Sequence, residues 1–260
     1  MTYKRVLSRG ISELYSLKTL VSNILPENRV LMYHAVGGQV IRDNLNIFSI
    51  KKDLFSKQME YLAVQSDVSV MEFSVKMLSP RENSIAITFD DGYKDNLYVA
   101  APILEKLNLP YTVFVSTDFI KCSDNNFLSP EELRRLSELP GATIGSHGMS
   151  HKPFVECSDG QLRRELVDSK SYIEDIIGKP VTTIGYPNGS VDPRVELFVS
   201  EAGYQFGGTS YMDKNFSNSN KLLLSRTCIL GIDNMRVFKQ KINGGWDWYR
   251  FLQNNPSLEG

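Results

Sequence analysis

Two short stretches of this 260-residue chain concentrate the groups able to do chemistry. In the first, an apolar, β-rich run over residues 85–89 stops at Asp90 and Asp91, and Gly92 follows at once. Such a run reads as a buried strand that delivers both carboxylates to one end of a sheet. Adjacent carboxylates repel, so a nearby cation is their natural partner, although Asp-Gly is also an ordinary turn dipeptide. The second stretch runs from Ser146 to Ser150 and on to His151. It follows another strand-like run, residues 142–144, and holds two of the chain's three histidines, His147 and His151. Imidazoles four apart lie on the same side of one helical turn and can reach one metal ion. With one aspartate they make a two-His, one-carboxylate set that leaves coordination positions open for water or substrate.

The third histidine, His34, also closes a strand-like run, Val30-Leu31-Met32-Tyr33. A core or capping role is the ordinary reading of such a residue, but in a barrel the strand ends are where catalytic groups are mounted, which places His34 in the pocket. The elements that position these groups alternate along the chain. Strands are expected near residues 30–33, 85–89, 111–115, 142–144, 181–185, 204–209 and 222–229. Helices are expected near 52–65, 95–107, after Ser129-Pro130, from Ser158 to Gly178, after Asp192-Pro193 and over 233–242, while residues 38–50 read as loop. Ser129-Pro130-Glu131-Glu132 has an N-cap serine, proline at the first helical position and acids in the first turn. About seven strand-then-helix units argue for parallel strands with crossover helices, and seven suggest an incomplete barrel rather than an open sheet. The aromatic tail, with Trp246, Trp248, Tyr249 and Phe251, is expected to pack.

Thr88-Phe89-Asp90-Asp91-Gly92-Tyr93 resembles the first motif of the polysaccharide deacetylase family, carbohydrate esterase family 4. His147-Gly148-Met149-Ser150-His151 resembles its histidine-pair motif. Gly185-Tyr186-Pro187-Asn188-Gly189 is similar to its third, in the branch with Tyr-Pro-x-Gly, and the Tyr33-His34 pair resembles that branch's first-strand signature. The resemblance spans residues 29–243. It implies an α/β fold, a distorted (β/α)7 barrel, and a hydrolase that removes an N-acetyl group from an amino sugar in a glycan or glycan precursor. It implies that Asp91, His147 and His151 bind one divalent metal, zinc or else cobalt or nickel. Metal-bound water is then the nucleophile and Asp90 the general base. Tyr186, Pro187 and Asn188 are assigned to the substrate and oxyanion side, with the Asn188 N–H holding the oxyanion. Two departures stand out. No histidine follows His151, so the family's later Leu-x-His proton donor is missing, and His34 is the substitute or a substrate contact. The arginine of the third motif is also missing; Arg226, near the end of the last expected strand, is a candidate to replace it, with a surface salt bridge as the alternative reading.

The totals narrow the partners. The length suits one large core, expected as a single barrel over residues 28–260 preceded by a helical segment over 1–27. The net charge of −1 and the lack of basic runs argue against nucleic acid. Cys122, Cys157 and Cys228 are odd in number and far apart, so they read as packing residues of a reducing compartment. Residues 1–25 read as a mildly basic amphipathic helix, packed on the domain or lying on a membrane surface. Glu13 and Lys18 interrupt any signal-peptide core, so the expected location is cytoplasmic, with peripheral membrane contact as an option. Two rival functions remain at this level: deformylation or deacetylation of a lipid-linked sugar, and a non-catalytic glycan-binding barrel with a decayed site.

Overall fold

The computed structural model describes residues 11–13, 28–40, 43, 45, 47–78, 83–122 and 124–253. The expected N-terminal helix therefore lies outside the described residues, apart from 11–13, which are helical. The frame is one parallel sheet. Its strands are β1 (Asn28–Tyr33), β4 (Val68–Met71), β5 (Asn83–Phe89), β6 (Tyr111–Val115), β7 (Ala142–Ser146), β8 (Thr183–Gly185), β9 (Phe206–Gly208) and β10 (Thr227–Cys228). They lie in the order β10-β1-β5-β6-β7-β8-β9, with β4 on the side of β5. The remaining strands, β2 (Ala35–Val36) and β3 (Ser49–Ile50), pair only with each other.

The sequence explains this arrangement. All six residues of β1 and all five of β6 are buried, as are the last six of β5. Strands covered by helices on one face and core on the other read as continuous apolar runs rather than alternating ones. The helices are α1 (Lys52–Ala63), α2 (Ala101–Lys106), α3 (Thr117–Lys121), α4 (Pro130–Glu138), α5 (Asp159–Ile177), α6 (Pro193–Glu201) and α7 (Met235–Ile242). The expected cap of α4 is present: the Glu132 N–H donates to Ser129 Oγ and the Ser129 N–H to Glu132 Oε2. Helix α5 ends at Gly178, whose φ of 66° is the left-handed value that favours glycine.

The sheet curls into a distorted barrel. The 224–228 segment touches both of its ends, through a bridge from Leu224 to Gly208 and through Thr227 paired with Leu31. The distortion has a local cause in β5, which carries β4 along its first half and β6 along its second, on the same flank. Strand β4 has no counterpart among the expected strands. It is four residues long and half-buried throughout, so its pattern is weak. The β2–β3 pair lies in and beside what reads as loop. The last expected strand, 222–229, shrinks to Thr227–Cys228, because outside these two residues the segment's only β-bridge to the sheet is the single one at Leu224. The expected helix over 95–107 is a π-turn, Asn96–Ala100, followed by α2.

The tail packs in part: Asp247 is buried and clamps Arg29 of β1 through two 2.8 Å hydrogen bonds, while Phe251 and Leu252 are exposed. The cysteines also divide, with Cys157 buried and Cys122 exposed, so Cys122 is not a packing residue. Among the described residues, no helix is long and apolar enough to cross a membrane.

Candidate active site

A parallel sheet brings the C-terminal ends of its strands to one edge, and the register here places them side by side. Tyr33 pairs with Phe89, and the Asp90 N–H donates to the Tyr33 carbonyl at 2.9 Å, so His34 and Asp90 leave the sheet as neighbours. The His147 N–H donates to the Val115 carbonyl at 2.8 Å, extending the β6–β7 pairing. The Tyr186 N–H does the same to Gly208 at 3.0 Å. All the groups singled out in the sequence line one cavity of about 1410 Å³ at this edge, Pro187 excepted.

Asp91, His147 and His151 converge, each offering one ligand atom, and these atoms lie within 4.8 Å of one another. Asp91 Oδ1 is 3.5 Å from His147 Nε2 and 3.2 Å from His151 Nε2. The pair does not meet across a helical turn. Residues 147–152 are loop, with Gly148 at φ 74° and His151 at φ 61°, so the backbone doubles back to bring the rings to 5.1 Å. Asp91 itself adopts φ 76°, a left-handed conformation uncommon for a residue with a side chain and typical of functional sites. Gly92 follows at φ 79°, and a Cβ there would stand 2.9 Å from Val115 Cγ1, so only glycine fits.

Three features suit these residues to a cation. His147 Nδ1 lies 2.7 Å from the Gly185 carbonyl, which can only accept, so Nδ1 carries the proton and the Nε2 lone pair faces Asp91. Burial lowers the His147 pKa to about 4, which keeps the ring neutral, the form that ligates. Asp91 Oδ1 is buried without a hydrogen-bond partner. Burial would raise its carboxyl, but the neighbouring histidines outweigh this and hold it far below the usual carboxylate range.

Asp90 faces the other way. Arg226 Nη1 and Nη2 donate to its two oxygens at 2.6 and 2.8 Å, and Arg226 Nε donates to the Thr209 carbonyl at 2.7 Å. Burial alone would raise the Asp90 carboxyl. The Arg226 guanidinium, with His147 and the paired hydrogen bonds, overrides it and keeps Asp90 ionised. Asp90 Oδ2 remains 4.0 Å from His147 Nε2, beside the cluster rather than in it. Arg226 is wholly buried, so it is neither a surface residue nor a surface salt bridge.

His34 packs its ring against Phe48 at 4.7 Å, and its Nδ1 is buried without a hydrogen-bond partner. Pro187, Asn188 and Gly189 form a short 3-10 turn after β8, with Asn188 exposed at φ 56° and lining the cavity. Pro187 is buried. Tyr186 also lines the cavity, but its hydroxyl donates to the Leu222 carbonyl at 2.8 Å, so its polar end fastens the 222 loop.

Sequence reasoning missed the groups that hold these residues. Glu165 on α5 accepts the N–H groups of Met149 and Ser150 at 2.6 and 3.1 Å and the Ser150 hydroxyl at 2.6 Å, pinning the histidine loop. Asn96 Nδ2 donates to the His34 carbonyl at 2.9 Å, tying that segment to the aspartate motif. Phe119 stacks on His151 at 5.8 Å. These contacts join distant parts of the chain, and nothing in local spacing announces them.

The arrangement has counterparts. A family model described as polysaccharide deacetylase matches residues 78–207. The chain is 28% identical over 188 residues to a Bacillus subtilis protein assigned to the polysaccharide deacetylases, a match covering 70% of this chain and 63% of that one. It is 24% identical over 199 residues to a Staphylococcus aureus poly-β-1,6-N-acetyl-D-glucosamine N-deacetylase, covering 70% and 68%. The fold resembles that of a Streptococcus pyogenes deacetylase solved in complex with acetate, with a TM-score of 0.75 and 22% identity over 84% of this chain and 99% of that one. The family match, over residues that include both motifs of the cluster, shows that this chain belongs to the polysaccharide deacetylase family.

Proposed function

We propose that the protein is a metal-dependent N-deacetylase of an N-acetylated amino sugar, in a glycan or a glycan precursor. The observation that carries this is the pairing of an Asp91–His147–His151 cluster with a second carboxylate, Asp90, held ionised beside it by Arg226. Two imidazoles and a carboxylate suit zinc, with cobalt or nickel as alternatives. When bound, such an ion polarises the amide carbonyl and lowers the pKa of a water toward about 7.

The chain's own residues do the rest. Asp90 accepts the proton of the attacking water; its two oxygens are fixed by Arg226, so it cannot swing into the cluster as a fourth ligand. The backbone N–H of Asn188, at the cavity edge, donates to the oxygen that gains charge as the carbonyl carbon becomes tetrahedral. His34, which leaves the sheet beside Asp90, supplies the proton to the departing amine. Acetate and a free sugar amine result, and both hydrogens of the water end on the amine once acetate is ionised and the amine protonated. The S. aureus relative's name gives poly-β-1,6-N-acetyl-D-glucosamine as its substrate, and short N-acetylglucosamine oligomers are the corresponding substrates to try here.

The test combines metal analysis with acetate release. About one equivalent of zinc, cobalt or nickel per chain, lost in His147→Ala together with acetate release from N-acetylglucosamine oligomers, is the expected result. A chain that takes up none of the three ions would overturn the hydrolase reading.

A further inference from the structure

The cavity is larger than one amino sugar requires. At about 1410 Å³ it exceeds the roughly 300–1,000 Å³ of ordinary small-ligand sites. Its lining extends from the cluster to Met32 of β1 and Cys228 of β10 and on to side chains of α7 and the aromatic tail, which form a lobe of the cavity. The lobe's walls include Ile47, Met212, Leu230, Ile232, Val237 and Trp246. Several of its polar side chains are already committed. Lys241 Nζ donates to Asp233 Oδ2 and, at 2.7 Å, to the Cys228 carbonyl. Asp233 Oδ2 also accepts the Leu230 N–H at 2.9 Å. Gln253 accepts the Met212 N–H at 2.8 Å and donates to the Ser210 carbonyl at 3.2 Å.

A glycan in this lobe would bury several hydroxyls against few side chains left to pair them, chiefly the Tyr249 hydroxyl and Asp233 Oδ1, and each group left unpaired costs about 1–3 kcal/mol. An aliphatic chain carries no such cost and gains by leaving water. The mouth has the matching character. Ile232 and Tyr249 line the cavity while 43% and 39% exposed, and Phe251 and Leu252, on the same turn as Tyr249, are 72% and 69% exposed. Such a rim is unusual on a surface that meets only water.

We infer that this lobe is a binding site for the aliphatic chain of an amphiphilic amino sugar, so that the substrate is a lipid-linked N-acetylated sugar rather than a free polymer. The inference rests on the deacetylase reading for its sugar end, and the two can fail separately.

The experiment measures binding to the metal-stripped protein by calorimetry, with methyl and octyl glycosides of N-acetylglucosamine, the latter below its micelle concentration, and with N-acetylglucosamine tetramer. The octyl glycoside is expected to bind at least tenfold more tightly than the methyl glycoside. That advantage is expected to shrink toward one in Ile232→Asp and in Tyr249→Ser, both at exposed positions where the fold tolerates change. Equal binding of the two glycosides, or an advantage untouched by both substitutions, would overturn the lobe. A tetramer that gains as much as the octyl chain would overturn it in favour of a glycan groove. Acetate release from the same compounds by the metal-loaded enzyme is scored apart, and its absence counts against the deacetylase reading alone.

Discussion

Arg226 and Asp90 lie 136 residues apart and form a two-point, fully buried ion pair at 2.6 and 2.8 Å. The geometry needs the planar guanidinium, because an ammonium cannot reach both oxygens while also donating to Thr209. Arg226→Lys should therefore keep charge and fold but let the Asp90 carboxylate rotate. We expect turnover to fall at least about tenfold, a loss of more than about 1.4 kcal/mol in barrier terms, with metal content unchanged. Arg226→Met removes the cation and strands a buried carboxylate, which costs on the order of 3–5 kcal/mol of stability. Urea unfolding beside steady-state kinetics separates the two. Equal turnover in Arg226→Lys and wild type would show that Asp90 needs no such fixing.

The neighbouring aspartates should separate cleanly in mutation. Asp90→Asn keeps one acceptor for Arg226 and leaves the cluster intact, so it should hold metal and lose roughly 10²–10⁴-fold in turnover, the usual weight of a general base. Asp91→Ala removes the oxygen that faces both Nε2 atoms, so its first effect should be on metal affinity. Elemental analysis after dialysis against a weak chelator reads this directly. Metal lost from Asp90→Asn and kept in Asp91→Ala would exchange the two roles.

How much of this is legible in the sequence follows from the range of each contact. The aspartate pair and the histidine pair each lie in one short stretch that follows a recognisable strand, and His34 likewise follows one, which places it at the pocket. That it leaves the sheet beside Asp90 is set by the β1–β5 register, which local sequence does not give. The spacing of His147 and His151 suggests a helix, and the chain uses two positive-φ residues instead, because strand β7 runs directly into the motif and leaves no room to start one. Arg226 is a candidate from its place near the end of the last expected strand and from the arginine missing in the third motif; its partner cannot be read locally, since the pairing is made by closing the barrel. Glu165 sits among the polar residues of α5 with no local mark of its task. Strand β4 escapes because it is short and lacks a clean alternation.

Gly185 offers a test of the support behind His147. A Cβ at this position would stand 3.0 Å from His147 Nδ1 and 3.0 Å from two carbons of the Phe114 ring. Because the Gly185 carbonyl also fixes the tautomer of His147, Gly185→Ala should tilt the imidazole while leaving all three ligand residues in the chain. A metal affinity lower by about 10–100-fold is expected, the usual scale for losing a partner behind a ligand. Competition with a fluorescent zinc chelator measures it, and an unchanged affinity would mean that the ring relaxes with the strand.

Asp95 gives the fold a pH dependence of its own. It lies partly buried beside the 36–38 turn, and its Oδ2 accepts the Gly38 N–H at 3.1 Å. Burial raises its pKa to about 6, only partly offset by the Val36 and Gly38 N–H groups and Asn96. The unfolded chain titrates this carboxyl near about 3.9. Between those values the folded state binds more proton than the unfolded one, so stability falls as pH rises from about 4 to about 6 and stays lower above. The sign is opposite to that of a carboxylate held by a salt bridge. The difference is on the order of 2 kcal/mol, since a tenfold change in proton affinity is worth about 1.4 kcal/mol and solvent screens part of the effect. Asp95→Asn removes the charge, so it should gain stability relative to wild type on going from pH 4.5 to pH 7.5. Urea unfolding of both proteins in chelator at the two pH values isolates this contribution, because every other titrating group is common to the pair. A stability gap between them that is the same at both pH values would mean that water reaches Asp95 and that its charge carries no burial cost.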